Sequence, residues 1–107
     1  MRATGKWMDM PETEYRASRL CRVLANPKTY AILKVLAKRK FATPSDFVRI
    51  LKRTKSTISD HLRNLRNLDL ISYQRRGREV VYWLKSVRIL DVFNALEKYI
   101  QAVRRMY

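Results

Sequence analysis

The sequence predicts a mainly α-helical domain of about five helices with one small β-hairpin. Three observations carry this. Apolar residues recur at spacings of three and four over most of the chain, which is the period of a helix with one buried face. Two glycines and three prolines leave little material for long loops, so long elements are joined by short connections. One stretch, "LISYQRRGREVVYWL", departs from the helical period and places β-branched and aromatic residues on both sides of a glycine. At 107 residues and 47% hydrophobic content the chain suits one core and buries enough surface to order itself despite its charge.

Residues 1–11 have no clear period and read as a flexible N-terminal arm, on which Trp7 and Met8 could dock. Residues 12–107 read as the domain itself. Its first helix, 12–26, carries Ala17, Leu20, Cys21 and Leu24 on one face. Asn26 before Pro27 starts the second, because Asn caps exposed N–H groups and proline at the first position loses no bond. That helix buries Ile32, Leu33 and Leu36 and ends near "KRK". "ATPSDF" repeats the signal, with Thr43 as cap, Pro44 in the first turn and Asp46 at the third position, where its charge suits the helix dipole. The short third helix carries Phe47, Val48, Ile50 and Leu51. Thr54 then caps a fourth helix with almost no loop between, the layout of a helix-turn-helix. The fourth helix buries Ile58, Leu62 and Leu65 and stops near Asp69. The hairpin follows with a basic tip of Arg75, Arg76 and Arg78. The last helix, 86–106, places Ile89, Phe93, Leu96, Ile100, Val103 and Tyr107 at spacings of four and three, a heptad-like seam that needs a second helix to cover it.

Twenty-four Lys and Arg against nine Asp and Glu give a net charge of +15, which favours a polyanionic partner. No apolar run approaches the roughly 18 residues of a membrane span, and "MRATGKWMDMPETEY" lacks a signal-peptide core, so a cytoplasmic protein without membrane contact is expected. The single cysteine, Cys21, reads as a buried thiol, and without Cys and His clusters no metal or other cofactor is expected.

"KSTISDHLRNL" brings Ser59, Asp60 and the only histidine, His61, close together in sequence. On a helix Ser59 and His61 diverge and Asp60 does not face His61, so no catalytic triad assembles and no enzyme is expected. With Ile58, Leu62 and Leu65 buried, the opposite face offers Ser56, Ser59, Asp60 and Arg63. Together with Lys55 and Thr57 at the N-terminal end, this is the part of a helix-turn-helix that enters the major groove of double-stranded DNA. Arg75, Arg76 and Arg78 suit the neighbouring backbone or minor groove.

"LCRVLANPKTYAILKVL" and "RTKSTISDHLRNLRNLDLISYQRRGREVVYWL" closely resemble the ArsR-like family of dimeric winged-helix transcriptional repressors, with a looser likeness to MarR-like regulators. The resemblance covers roughly residues 20–85. It implies a winged helix-turn-helix that binds specific DNA as a homodimer through its terminal helices, in agreement with the seam of Ile89, Phe93, Leu96, Ile100 and Val103. The cysteine motif of metal-sensing members is missing from "KFATPSDF", and only Asp91 and Glu97 offer carboxylates on the last helix, so metal sensing does not carry over. Asp60 stands where a basic residue is common and can pair with Arg63. Asp69 replaces a common glycine where a left-handed backbone is needed. Arg53 takes a turn position that is usually apolar. A weakly specific architectural DNA binder and a protein-interaction module on the same fold are the alternatives; the operator and any small-molecule effector are not named by the sequence.

Overall fold

The computed structural model describes residues 2–4 and 9–106. Short strands β1 (Arg2–Thr4) and β2 (Asp9–Pro11) precede helices α1 (Glu12–Leu24), α2 (Pro27–Arg39), α3 (Pro44–Leu51) and α4 (Lys55–Asn67). Strands β3 (Ile71–Arg76) and β4 (Glu79–Leu84) then form an antiparallel hairpin, and α5 (Ile89–Met106) ends the domain. Five helices and a two-stranded wing are thus the predicted fold class. Where the sequence suggested an arm without regular structure, β1 and β2 pair antiparallel, with Ala3 opposite Met10. Strands this short show no readable period, and so small a ribbon depends on the neighbour it lies against, here α1. Trp7, Met8 and the side chain of Tyr107 lie outside the described residues.

The helix starts follow from the caps. Asn26 Oδ1 accepts from the Lys28 N–H at 2.9 Å, with Pro27 in the first turn. Thr43 and Asp46 form a reciprocal capping box: the Asp46 N–H donates to Thr43 Oγ1 at 3.2 Å and the Thr43 N–H to Asp46 Oδ2 at 2.9 Å. That backbone bond, ahead of the nearby Arg49 and Arg39, holds the Asp46 carboxyl below the usual carboxylate range despite partial burial. Between α3 and α4 the turn is made by Lys52 in the left-handed region (φ 54°) and by the Thr54 cap. Asp69 also takes φ 64°, as the missing glycine required, and its carboxylate lies 2.8 Å from Lys85 Nζ.

Ala42 adds a feature that the sequence did not suggest. It exchanges two backbone hydrogen bonds with Tyr82, at 3.1 and 2.8 Å, and so lies as a third strand position beside β4. A single bridging residue has no periodicity to detect.

The core gathers Leu24, Ile32, Leu33 and Leu36 from the first two helices, Phe47 from α3, Ile58, Leu62 and Leu65 from α4, and Ile71 and Tyr82 from the wing root. Several expectations need correction. Cys21 is exposed rather than buried. The α1 stripe runs through Leu20, Val23 and Leu24 and leaves Ala17 and Cys21 outside. Phe93, placed in the exposed seam by its spacing, is 1% exposed within one chain, because the first half of α5 packs on α2 and its ring meets Tyr30 at a centroid distance of 4.6 Å. Ile89, Leu90 and Val92 also lean on the core. One turn on, Glu97 accepts from Tyr30 Oη at 2.5 Å and from Lys34 Nζ at 3.0 Å. Burial first, and then this bond to Glu97, push the Tyr30 phenol up to about 12, while the Tyr30 and Lys34 donors hold the Glu97 carboxyl below its ordinary value. Ile50, one of the apolar residues carried by the third helix, is exposed at the rim of the core, as is Leu68 after α4. Among the described residues no helix is long and apolar enough to cross a membrane.

Candidate nucleic-acid interface

Helix α4 buries Ile58, Leu62 and Leu65 against the core and turns the rest of its surface outward. Lys55, Ser56, Asp60 and Arg63 are exposed. Asp60 pairs with Arg63 one turn on, at 3.6 Å, so the acid on this face is partly neutralised by a guanidinium. Thr57 and Ser59 are half-buried. Thr57 serves the helix start: its N–H donates to Thr54 Oγ1 at 3.2 Å, and its hydroxyl accepts from the Thr54 hydroxyl at 2.9 Å. Of the six residues expected to read DNA, four therefore stand free on the surface and two sit at its shoulders.

The wing stands beside this helix. Strand β3 pairs with β4 from Ile71–Leu84 out to Arg76–Glu79. The connection is the two-residue loop Gly77–Arg78, with Gly77 at φ 63° in its first position, the conformation for which glycine is suited in such hairpins. Ile71, Tyr73 and Arg75 share the body-facing side of β3, and Arg76 points the other way. Arg75, Arg76 and Arg78 are all exposed. Arg66 on α4 lies 4.5 Å from the centroid of the Tyr73 ring, a cation–π contact that joins α4 to the wing. Arg66 and Tyr73 were missed in the sequence, because only the turn of the hairpin toward α4 brings them together.

On the other shoulder of α4, Thr57 and His61 border a cleft of about 130 Å³, shared with Lys28 at the start of α2 and Arg53 in the turn. His61 thus faces α2 while Ser59 sits on the wing side, and no nucleophile–base pair forms.

The family model described as "bacterial regulatory protein, arsR family" matches residues 26–73, from the Asn26 cap through the helix-turn-helix into the wing. Over this span the chain is similar to the ArsR family of regulators. Its members are regulators of transcription and not enzymes. The chain is 28% identical over 78 residues to the transcriptional repressor SmtB homolog of Synechocystis sp., a match covering 73% of this chain and 58% of that protein. It is 27% identical over 77 residues to the transcriptional repressor PagR of Bacillus anthracis, covering 72% of this chain and 77% of that one. The match therefore spans little more than half of the first relative. In fold it is similar to the crystal structure of M. tuberculosis Rv0081, with a TM-score of 0.79 at 19% identity over 88% of this chain and 94% of the other.

Proposed function

We propose that this protein is an ArsR-family transcriptional repressor that binds a specific double-stranded DNA operator as a homodimer, with α4 in the major groove and the wing along the adjacent backbone or minor groove. The observation that carries this reading is the free outer face of α4, where Lys55, Ser56, Asp60 and Arg63 are exposed between a basic wing and a basic turn. The dimer is supported by the outer half of α5. Leu96 is 42% and Ile100 57% exposed beside the exposed Tyr99 and the half-buried Val103, apolar surface that one chain leaves largely uncovered. With Phe93 assigned to the core, the interface rests on Leu96, Ile100 and Val103, with Ile89 at its edge and α1 alongside.

Selecting bound duplexes from a random pool tests this reading. The expected product is an inverted repeat with half-site centres about 10 base pairs apart or a multiple of that. A ratio of preferred to random affinity near one would instead favour an architectural binder, a reading supported by the net charge of +15 and by exposed Lys38, Arg39 and Lys40 at the far end of α2. No DNA binding even at low salt would leave a protein-interaction module.

Reading head and wing should separate by their signatures. Alanine at Ser56 or Arg63 should cost roughly 1–3 kcal/mol on the preferred site and less on random DNA, because base contacts are what random DNA lacks. Alanine at Arg75, Arg76 or Arg78 should weaken every duplex alike and lower the slope of log affinity against log salt by about 0.9 per lost phosphate contact. Equal losses on all sequences for both sets would defeat this division of labour.

The repression is metal-independent in this reading. Among the described residues no three His, Cys, Asp or Glu side chains gather into a potential site, and Glu97 is already committed to Tyr30 and Lys34. Adding zinc to the metal-free protein should leave operator affinity unchanged; a stoichiometric effect would contradict this.

A further inference from the structure

We propose that the cleft on the shoulder of α4 away from the wing holds one phosphate of the DNA backbone, with Lys28 and Arg53 as its cations, so that the reading helix is gripped from both walls of the major groove. This rests on the DNA-binding reading above and adds to it a second contact, on the opposite side from the wing. The buried stripe of α4 divides the helix into two shoulders. One carries Arg66, which lies over Tyr73 of the wing at 4.5 Å. The other carries Thr57 and His61, and there the surface dips into the cleft bordered by Lys28 and Arg53 and floored by Ile32 and Ile58. At about 130 Å³ it is well below the size of a site for a whole small molecule and has room for a compact oxyanion.

Its chemistry suits an anion. No carboxylate lines it, although the chain has nine. Among the described residues Arg39, Arg49, Arg63, Lys34 and Lys85 have carboxylate partners, while no such pair includes Lys28 or Arg53. Both are exposed and so able to meet a ligand. The Thr57 hydroxyl accepts from Thr54, which leaves its own proton to donate outward. Arg53 is also held in place: the left-handed Lys52 precedes it and the Thr54 cap follows, so the backbone that presents its guanidinium is fixed on both sides. A major groove about 12 Å wide has a phosphate wall on each side of an inserted helix. The wing serves one wall, and this cleft lies toward the other.

The test uses the full chain and the duplex selected above. Lys28→Gln and Arg53→Gln should each weaken binding to preferred and random duplexes by the same factor, and each should lower the salt slope by about 0.9. Lys38→Gln is the control, at the other end of α2 about 15 Å away by helical rise, and should leave the slope unchanged. Replacing single phosphates with neutral methylphosphonates should identify one position per half-site at which Lys28→Gln has no further effect. If the wild type binds but Lys28→Gln and Arg53→Gln match it, or match Lys38→Gln, the cleft is not a phosphate site and the reading head stands without it. A wild type that binds no duplex overturns both proposals.

Discussion

Replacing Leu96 and Ile100 together with aspartate should give a folded monomer that binds the operator roughly 10²–10⁴-fold more weakly than the wild type. The size of the loss comes from linkage. Two reading heads held in one particle make the second binding event intramolecular, and separating them removes that gain without touching a DNA contact. Folding should survive, because both side chains are exposed within the chain and the core contacts of α5 are made earlier, by Ile89, Leu90, Val92 and Phe93. The same double change at Ile89 and Phe93 would confuse assembly with stability. Light scattering and duplex titration on one sample, with circular dichroism as the fold control, check the prediction. A wild type that is already monomeric at micromolar concentration, or a variant that remains dimeric, would move the interface away from α5.

Phe47→Ala should lower the free energy of unfolding by about 3–5 kcal/mol. The ring is 0% exposed and belongs to the central cluster, placed there by the capping box that starts α3 three residues earlier. Removing it deletes the largest side chain that α3 contributes and leaves a cavity that the short connection to α4 cannot collapse. Against a typical stability of about 5–15 kcal/mol, much of the margin would be lost. Urea denaturation should show a lower midpoint with an unchanged slope. Ile50→Ala, at the exposed rim of the same helix, is the comparison and should cost much less. Similar losses at the two positions would mean that α3 is not seated as described.

How much of this was legible depended on whether the cause was local. Asn26, Thr43, Asp46 and Thr54 act on backbone groups within three residues of themselves, so the starts of α2, α3 and α4 could be read directly. The Asp60–Arg63 pair and the left-handed Asp69 are local in the same sense. The heptad-like seam misled because the α5 pattern merges two stripes. Phe93 belongs to the face that meets Tyr30 on α2, while Leu96 and Ile100 belong to a face left exposed among the described residues, and spacing alone cannot divide them. Cys21 failed for a related reason: α1 touches the body along one edge, so half of its apparent apolar face is left outside. Hydrophobic period located the outer face of α4, but the half-burial of Thr57 and Ser59 and the meeting of Lys28, Arg53 and His61 depend on neighbouring elements.

The Ala42–Tyr82 bridge closes the chain on itself around α3, α4 and the wing. Helices α3 and α4 and the wing therefore form a loop with both ends pinned in one small sheet, next to the buried Tyr82 ring. Such a loop has no free end from which to fray. An opening motion large enough to separate α4 from the root of the wing must break the sheet and uncover the core, which places it among the slow fluctuations of the molecule. On the proposed DNA-binding reading, α4 and the root of the wing present a constant span to the duplex, and a poor sequence is rejected by misfit rather than accommodated by give in the protein.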